Sequence, residues 1–549
     1  MKKHIKQAIL PAVLCTAMIL SSCSSKEAAS SPGVTTASLE TNSTDSAIVV
    51  QTINLDGLFS DRDMDQGYDT ADAVAIQLTG DTAACASDAV KIDGGRITLL
   101  DEGVYVFSGA LADGQIVVNA DSSDKVQIVL NGADITSTSS AAIYSLKADK
   151  VFVTLAEGSE NALSNGGTFT AIDNNNIDAV IFSKTDLTLN GTGSLTVSSP
   201  AGHGIVSKDE LTITGGTYTV TAAKHGLAGK DSVAVAAGSF TITSGKDGIH
   251  AENADDAAKG FLCIVDGSFN IDAQGDAVSA SGDLQIDGGS YVLTTGGGSS
   301  SVTMSTGGTM QRQNGFKDFS AAQAASETMD TTADTESCKG IKAGGALTVN
   351  GGTFVLDTAD DAVHAGGDVT ITGGEWIIQT GDDGIHSDAA VVIRAGTFSI
   401  PCCYEGVEGQ SVTIDSGTLD ITACDDGINA AGGADGSGTG FGFGTQDRFT
   451  TDETCFIIIN GGTITIVSDG ESIDSNGSLT VNGGTLNLTS NGNGKQEAAI
   501  DTNGTFTNNG GDITTNDGSE SGTGSMDGGR GGMGGEKPSG RGNQARDTV

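Results

Sequence analysis

The clearest pattern in the chain is carried by two consecutive segments, residues 347–368 (LTVNGGTFVLDTADDAVHAGGD) and residues 369–390 (VTITGGEWIIQTGDDGIHSDAA). Each segment begins with a short strand-like stretch, turns at a Gly-Gly pair, continues with alternating apolar and polar residues, and reaches an acidic turn. Alternation with a period of two indicates a β-strand that buries one face, and glycine suits turns that need a positive φ. The two segments therefore predict short strands joined by tight turns.

The same unit recurs along much of the chain at steps of about 22 residues, with longer steps where segments are inserted. The second residue of each turn is a glycine, at Gly193, Gly216, Gly238, Gly267, Gly289, Gly352, Gly374, Gly396, Gly417, Gly462 and Gly484. The second and fourth residues after each glycine are apolar or aromatic, as in Phe354 and Leu356. Three short strands in about 22 residues form one coil of a solenoid whose coils stack at ~4.8 Å. We therefore predict an all-β fold, a right-handed parallel β-helix.

The composition agrees with a repeat fold and limits the partners. The chain has 549 residues but only 4% aromatic residues, whereas one large core would need more large apolar side chains. Disorder is the competing interpretation of so acidic and glycine-rich a chain, and the regular pattern argues against it for the middle. The formal net charge of −43 argues against nucleic acid as a partner and favours cations. Anionic polymers would need bridging cations or a local basic patch.

The first residues have the features of an export signal. A basic start precedes an apolar stretch, and Leu20-Ser21-Ser22-Cys23 resembles a bacterial lipobox. We predict a signal peptide over residues 1–23 and lipid modification of Cys23, which would anchor an exported protein to the bacterial membrane at the cell surface. An ordinary secretion signal with an incidental cysteine is the alternative.

The remaining chain divides by composition. Residues 24–49 are rich in Ser and Thr and predict a flexible tether, and residues 516–549 predict a disordered, Gly-rich tail. Residues 50–515 between them are assigned to the β-helix. Three insertions interrupt the repeat and are candidates for binding loops. They are Glu252–Gly260, Gly296–Cys338 and Gly432–Thr454.

Polar residues recur at fixed positions after the marker glycines. Nine residues after most markers stands an acid, and His225 takes this place in an earlier coil. The acids of this first column are Asp247, Asp276, Asp361, Asp383, Glu405, Asp426 and Glu471, and three of them are doubled as Asp360-Asp361, Asp382-Asp383 and Asp425-Asp426. A second column follows three residues later, at His250, His364, His386, Glu408, Asn429 and Asp474.

The spacing of these acids predicts a cation. Equivalent residues of stacked coils lie about 5 Å apart, where two full charges repel by ~1 kcal/mol in water and more where water is excluded. Calcium binds six to eight oxygen ligands in loose geometry, and the interleaved histidines make zinc a poorer fit. The predicted Ca²⁺ ligands are Asp360, Asp361, Asp382, Asp383, Glu405, Asp425, Asp426 and Glu471. The alternative is that the acids cap turns and keep the surface soluble.

Several segments resemble a bacterial family of β-helical carbohydrate-binding lipoproteins with a pectate-lyase-like fold. The resemblance rests on Tyr105–Val118, Val126–Gly132, Val153–Leu163, the Asp-Asp-Gly-Ile-His coils and Ser472–Gly484, and it covers roughly residues 50–515. It implies a calcium-containing β-helix that binds plant cell-wall polysaccharide, notably pectic acid and cellulose, without catalysis. Individual calcium ligands do not follow from it.

Three functions are compatible with these features. The favoured one is a surface-tethered, non-catalytic protein that binds acidic polysaccharide through calcium, with His364, His386, Glu408, Asn429 and Asp474 of the second column as candidate contacts. The second is a polysaccharide lyase, which needs a base. The candidate bases are Lys246, Lys339, Lys342 and Lys495, of which Lys246 is best placed. The third is an adhesin or structural fibre without a sugar ligand. The aromatic column Phe354, Trp376 and Phe398 is interpreted as core stacking and not as a sugar platform.

Overall fold

The computed structural model describes residues 35–37, 50–303, 311–312, 337–430, 451–492 and 498–521. Nearly all of the regular structure in these ranges is β, and parallel strands dominate. Each coil contributes one strand to each of three long sheets, here termed A, B and C in the order in which the chain passes through them. Thr353–Thr358, Val363–Ala365 and Val369–Ile371 form one such coil, and Glu375–Thr380 begins the next. The predicted parallel β-helix is confirmed.

Sheet A carries the strands that follow the marker glycines. Its strands are Glu160–Asn165, Ser194–Ser199, Thr217–Ala222, Ser239–Ser244, Ser268–Ala273, Ser290–Thr295, Thr353–Thr358, Glu375–Thr380, Thr397–Cys403, Thr418–Ala423, Thr463–Ser468, Thr485–Ser490 and Asp512–Thr515. Buried and exposed residues alternate along most of them, as the period of two predicts.

Sheets B and C are built from shorter strands. Sheet B comprises Arg96–Leu99, Gln115–Asn119, Ile143–Lys147, Ala179–Ser183, His203–Ser207, Leu227–Gly229, Ile249–Ala251, Val278–Ala280, Ile341–Ala343, Val363–Ala365, Ile428–Ala430, Ile473–Ser475 and Ile500–Thr502. Sheet C comprises Lys150–Leu155, Asp186–Gly191, Glu210–Ile213, Ser232–Val235, Phe261–Ile264, Leu284–Ile286, Leu347–Val349, Val369–Ile371, Phe456–Ile459, Ser478–Val481 and Phe506–Asn508.

A few strands serve two sheets. Val74–Gly80, Gly103–Leu111 and Lys125–Ser137 run through sheets C and A in the first coils, and Ile385–Ile393 and Val407–Ile414 continue from sheet B into sheet C. The N-terminal part therefore begins the same solenoid, with the short strands Ala83–Ala84 and Val90–Asp93 added antiparallel to it.

The remaining elements lie outside the coils. Antiparallel pairs join Thr35–Ala37 to Val50–Thr52 and Val302–Thr303 to Gln311–Arg312. The helix Asp61–Met64 and the 3₁₀ turns Ser299–Ser301 and Ser519–Ser521 are also separate from the coils. The helix lies on sheet C, where buried Asp63 accepts a hydrogen bond from Thr188 and forms an ion pair of 2.8 Å with Lys150. No helix of the described part has the length and apolar character of a membrane span.

The core is one continuous cluster that runs through all coils. Its largest component is a stack of aromatic rings from sheet A, with centroids of neighbouring rings 3.7 to 5.7 Å apart. The stack comprises Tyr218, Phe240, Phe269, Tyr291, Phe354, Trp376 and Phe398. These rings are at most 2% exposed. The interpretation of Phe354, Trp376 and Phe398 as core residues is confirmed, and they offer no sugar platform.

The insertions lie at two different corners of the coil. Glu252–Gly260 and Gly432–Thr454 join sheet B to sheet C, whereas Gly296–Cys338 joins sheet A to sheet B. Most of the two longer insertions, Cys23 and the tail after residue 521 lie outside the described residues, so the predictions for them remain predictions.

Candidate functional site

The polar columns lie at the corner where each coil turns from sheet A into sheet B, here termed the A–B corner. The first column lies at the end of the turn. Each of its residues precedes by two positions the first inward-facing residue of a strand of sheet B, as Asp361 precedes Val363. It consists of His203, His225, Asp247, Asp276, Lys339, Asp361, Asp383, Glu405, Asp426 and Glu471. The second column lies on sheet B and consists of His250, Ser279, Lys342, His364, His386, Glu408, Asn429, Asp474 and Asp501.

The strand register thus places the members of each predicted column beside one another in successive coils. His364 is the strand partner of His386, which pairs in turn with Glu408. Sequence reasoning missed that Lys339 and Lys342 belong to the same columns, because the insertion Gly296–Cys338 separates them from the regular repeat. The motif Lys339-Gly-Ile-Lys342 matches the pattern of Asp383-Gly-Ile-His386, and this similarity was the available signal. Of the candidate bases, Lys339 thus lies directly beside the doubled acid Asp360-Asp361.

The aspartates of the first column help to hold the next coil in place. Oδ1 of Asp361 accepts a hydrogen bond of 3.2 Å from the backbone N–H of Asp383, and Oδ1 of Asp383 accepts one of 3.0 Å from Glu405. Asp426 accepts one of 2.8 Å from the N–H of Glu471 in the same way. One carboxylate oxygen of these acids therefore has a structural role, as the turn-capping alternative predicts. The other oxygen meets neighbouring side chains, as Oδ2 of Asp383 meets Nδ1 of His386.

Two histidines replace acids in this ladder. Nδ1 of His203 accepts the N–H of His225 at 3.2 Å, and Nδ1 of His225 accepts the N–H of Asp247 at 3.1 Å. An imidazole nitrogen accepts a hydrogen bond only when it carries no proton, so His225 must be neutral with its proton on Nε2. Burial and the nearby charge of His250 lower the pKa of His225 to about 3, which agrees with that requirement.

Lys339 is a buried cation within the doubled acids. Its Nζ lies 2.9 Å from Oδ1 of Asp360 and 2.5 Å from Oδ2 of Asp361, and only 8% of the residue is exposed. Burial raises the pKa of Asp361, but the charge of Lys339 and the hydrogen bond from His364 outweigh it and hold the pKa well below its usual range. Oxygens of Asp360, Asp361 and Asp382 lie within 4.8 Å of one another, a spacing suited to a metal ion. The Lys339 ammonium already contacts two of these three acids, and its single positive charge balances one of their negative charges.

The neighbouring coils also have cationic side chains beside their acids. Nδ1 of His386 lies 3.2 Å from both Oδ2 of Asp383 and Oε2 of Glu408. Burial lowers the pKa of His386, but the nearby acids outweigh this effect and raise the pKa to about 10. His250 contacts Asp247 at 2.6 Å, and its pKa rises to about 9 for the same reason. Lys342 lies 3.3 Å from Oδ2 of Asp276. The corner from Asp247 to His386 is termed the paired segment, because its acids have cationic side chains beside them.

From Glu405 to Asp501 the two columns change character. In the part of the chain that the structure describes, these positions carry no Lys, Arg or His, and the segment is termed the acidic segment. Burial and the surrounding carboxylates raise the pKa of Glu405 and Asp426 well above the usual range, the pKa of Glu408 to about 8 and that of Asp474 to about 7. Asn429 donates a hydrogen bond of 2.9 Å to Glu405, and Tyr404 donates one of 2.7 Å to Asp425. The described column positions of this segment therefore supply oxygen donors. Glu408, at its edge, also contacts the preceding coil, where its Oε2 lies 3.2 Å from Nδ1 of His386.

The two segments suit different ions. Clusters that include histidine nitrogen occur in the paired segment, at His225-Asp247-His250, Asp361-His364-His386 and Asp383-His386-Glu408. The stacked rings of His225 and His250 have centroids 4.2 Å apart, and their Nδ1 atoms lie 3.5 Å and 2.6 Å from Oδ2 of Asp247. The oxygen-only donors of the acidic segment fit a hard cation such as Ca²⁺. Glu405, Asp425, Asp426, Glu471 and Asp474 are the residues that would hold it.

Three comparisons relate the chain to known proteins. The family model described as carbohydrate-binding domain-containing protein matches residues 93–384 and 382–530. A relative from Acetivibrio thermocellus with the same description is 32% identical over 220 residues, which are 40% of this chain and 66% of the relative. A solved structure described as a polysaccharide lyase-like protein from C. thermocellum, a gadolinium derivative, is 34% identical over 41% of this chain and 92% of that chain, with a TM-score of 0.40.

Proposed function

We propose that this chain, which belongs to the family of carbohydrate-binding domain-containing proteins, binds acidic polysaccharide without catalysis through calcium held on its acidic segment. The observation that carries the proposal is the change in the columns at Glu405. Before this residue the acids have Lys or His beside them, and after it the columns contain only carboxylates and one amide. Calcium bound there can also coordinate the carboxylate of a uronic acid, so that an anionic protein can bind an anionic polymer.

The proposal places the calcium ligands in a narrower region than the sequence predicts. Asp360 and Asp361 already contact the Lys339 ammonium, and Asp383 contacts His386. A second cation beside these groups would have to displace a buried ion pair, which is unfavourable. On the acidic segment the described column positions around Glu405, Asp425 and Asp426 contain no Lys, Arg or His. Glu471 and Asp474 join them as proposed ligands, whereas Glu408 already contacts His386 at 3.2 Å.

A lyase is the less favoured function because a suitable base is lacking at the doubled acids. A base must be unprotonated near neutral pH to remove the proton beside a uronate carboxylate. Although burial lowers the pKa of Lys339, the charges of Asp361 and Asp360 raise it well above the usual lysine range, so this amine is held protonated. Lys342 is paired with Asp276. Lys495 lies outside the described residues.

Retention on immobilised polygalacturonate tests the proposal. The full chain should be retained more strongly in calcium than in chelator, and the variant Asp426→Asn/Glu471→Gln/Asp474→Asn should lose the calcium-dependent part. Amides keep the size of the side chains and the acceptor that holds the next coil, but they remove three charges. The same three-charge change at exposed acids away from the corner, Asp121→Asn/Glu157→Gln/Asp255→Asn, is the matched control.

The outcomes separate the functions. If the corner variant folds and still binds polygalacturonate with full calcium dependence, the acidic segment is not the site. If the unaltered chain shows no calcium-dependent retention, the proposed function is wrong and the adhesin or fibre alternative becomes the better one. A neutral glucan offers no carboxylate to the metal and should show no calcium-dependent retention.

Location is part of the proposal. We infer from Leu20–Cys23 that the chain is exported and held at the membrane surface by a lipid on Cys23. Expression in a bacterium with labelled fatty acid should label the chain, and Cys23→Ser should remove the label. Labelling of the Cys23→Ser variant would contradict the anchor.

A further inference from the structure

Lys342 occupies the second column in the middle of the paired segment. Its strand partners are Ser279 in the preceding coil and His364 in the following coil, so it lies on the outward-facing row of sheet B. The coil that carries it is the only one in the described part of the corner with lysine in both columns. Lys339 and Lys342 are together termed the lysine rung.

The two lysines of the rung differ in what they leave accessible. The Lys339 side chain is 10% exposed and its ammonium contacts Asp360 and Asp361, so its charge is used inside the protein. The Lys342 side chain is 34% exposed, and its one ion pair, with Asp276, has a separation of 3.3 Å. An ammonium group has three N–H donors. One ion pair therefore leaves Lys342 with donors for an external acceptor.

The surroundings of Lys342 present little exposed negative charge. The side chain of Asp276 is 4% exposed and that of Asp361 is 1% exposed, so these acids lie beneath the surface that a ligand would meet. His364, whose side chain is 14% exposed, adds the edge of an imidazole ring. Of the two lysines of this rung, Lys342 is therefore the one whose ammonium a ligand can reach.

We propose that Lys342 is a metal-independent subsite for a carboxylate group of the bound polymer. The inference rests on the proposed function and deepens it, because it assigns two modes of recognition to one surface. One carboxylate of the polymer accepts hydrogen bonds from the Lys342 ammonium, whereas carboxylates further along the corner are bound through cations on the acidic segment. Lys339 supports this arrangement, since it pairs with Asp360 and Asp361 of the following coil, so that these acids do not need the Lys342 ammonium.

The experiment compares the full-length chain with Lys342→Gln and with the control Lys230→Gln. Lys230 is a suitable control because its side chain is 41% exposed and it forms one ion pair, of 2.8 Å, with Asp255. Binding to polygalacturonate is measured at low salt in excess chelator, where calcium bridging cannot contribute. The chain and Lys230→Gln should show weak binding that disappears with added salt, and Lys342→Gln should bind about threefold to tenfold more weakly than the control.

The results distinguish this inference from the proposed function. Equal chelator-resistant binding by both variants, or no such binding by the unaltered chain, overturns the subsite at Lys342, whatever happens in calcium. If only Lys342→Gln loses chelator-resistant binding and calcium-dependent retention remains, the result supports both the Lys342 subsite and the proposed function. Melting temperatures of the two variants should agree within about a degree. If they do not, Lys342→Arg, which keeps the charge, should restore binding, and failure to do so counts against the subsite.

Discussion

The paired segment and the acidic segment share one backbone geometry but balance their charge differently. In both, a first-column acid uses one oxygen to hold the next coil, as Asp383 does for Glu405 and Asp426 does for Glu471. In the paired segment the other oxygen meets a cationic side chain, such as Lys339 beside Asp361. In the acidic segment it meets further carboxylates, and the pKa of Asp474 rises to about 7, chiefly through burial and then the charge of Glu471. The difference shows that the repeat sets the positions of the side chains, whereas their identities decide whether a coil needs an added cation.

The largest effect should come from removing the internal cation of the paired segment. Lys339→Met leaves Asp360 and Asp361 without their ammonium partner in a buried site, and loss of one member of a buried pair typically destabilises by about 3–5 kcal/mol. Thermal or denaturant unfolding measures the change. Lys125→Met is the control, because its ion pair with Asp149 is 3.7 Å long and exposed, and it should cost less than about 1 kcal/mol. Equal stability of the two variants would contradict the assignment of Lys339 as an internal counter-charge.

The acidic segment should respond to removal of calcium. A ligand that binds only the native state raises the melting temperature by mass action, so chelation should lower it by several degrees and restored calcium should recover it. The variant Asp426→Asn/Glu471→Gln/Asp474→Asn should melt at the same temperature with and without calcium. A melting curve of the unaltered chain that chelator leaves unchanged would argue against bound calcium in this segment.

A smaller effect should appear at the histidine end of the first column. His225 has its pKa lowered to about 3 in the folded chain against about 6.5 when unfolded, so its contribution to stability is present above pH 6.5 and is lost as the pH falls towards 3. At pH 5 the loss should be about 1–2 kcal/mol. His225→Asn keeps a hydrogen-bond acceptor but does not titrate. The stability of this variant relative to the parent should therefore increase as the pH falls from 6.5 to 4. A difference that is independent of pH would show that the ring does not need to be neutral.

No effect at all is expected in a lyase assay. Incubation with polygalacturonate and calcium should give no rise in absorbance from unsaturated products, because Lys339 is held protonated and Lys342 is paired. Lys246→Ala should therefore change nothing. A calcium-dependent rise that Lys246→Ala abolishes would overturn the non-catalytic function.

The amino-acid sequence by itself determined the coil and the two columns. The steps of about 22 residues and the alternation after each marker glycine predict the strands, and Phe354, Trp376 and Phe398 stack in the core as the pattern indicates. Parallel strands in register place equivalent residues of successive coils beside one another, so a periodic sequence maps directly onto columns. For this reason the repeat alone predicts that His364 and His386 are neighbours, and the strand register confirms it.

Only the tertiary structure decided what each column residue does. The insertion Gly296–Cys338 hides the register of Lys339 and Lys342, and its length alone does not say in which phase the chain rejoins the solenoid. The direction of a side chain also depends on neighbours from other coils: Oδ1 of Asp361 turns to the N–H of Asp383, and its Oδ2 turns to Lys339 and His364. Charge balance is a property of such three-dimensional neighbourhoods, since the interaction between two charges depends on their separation and burial and not on their distance along the chain.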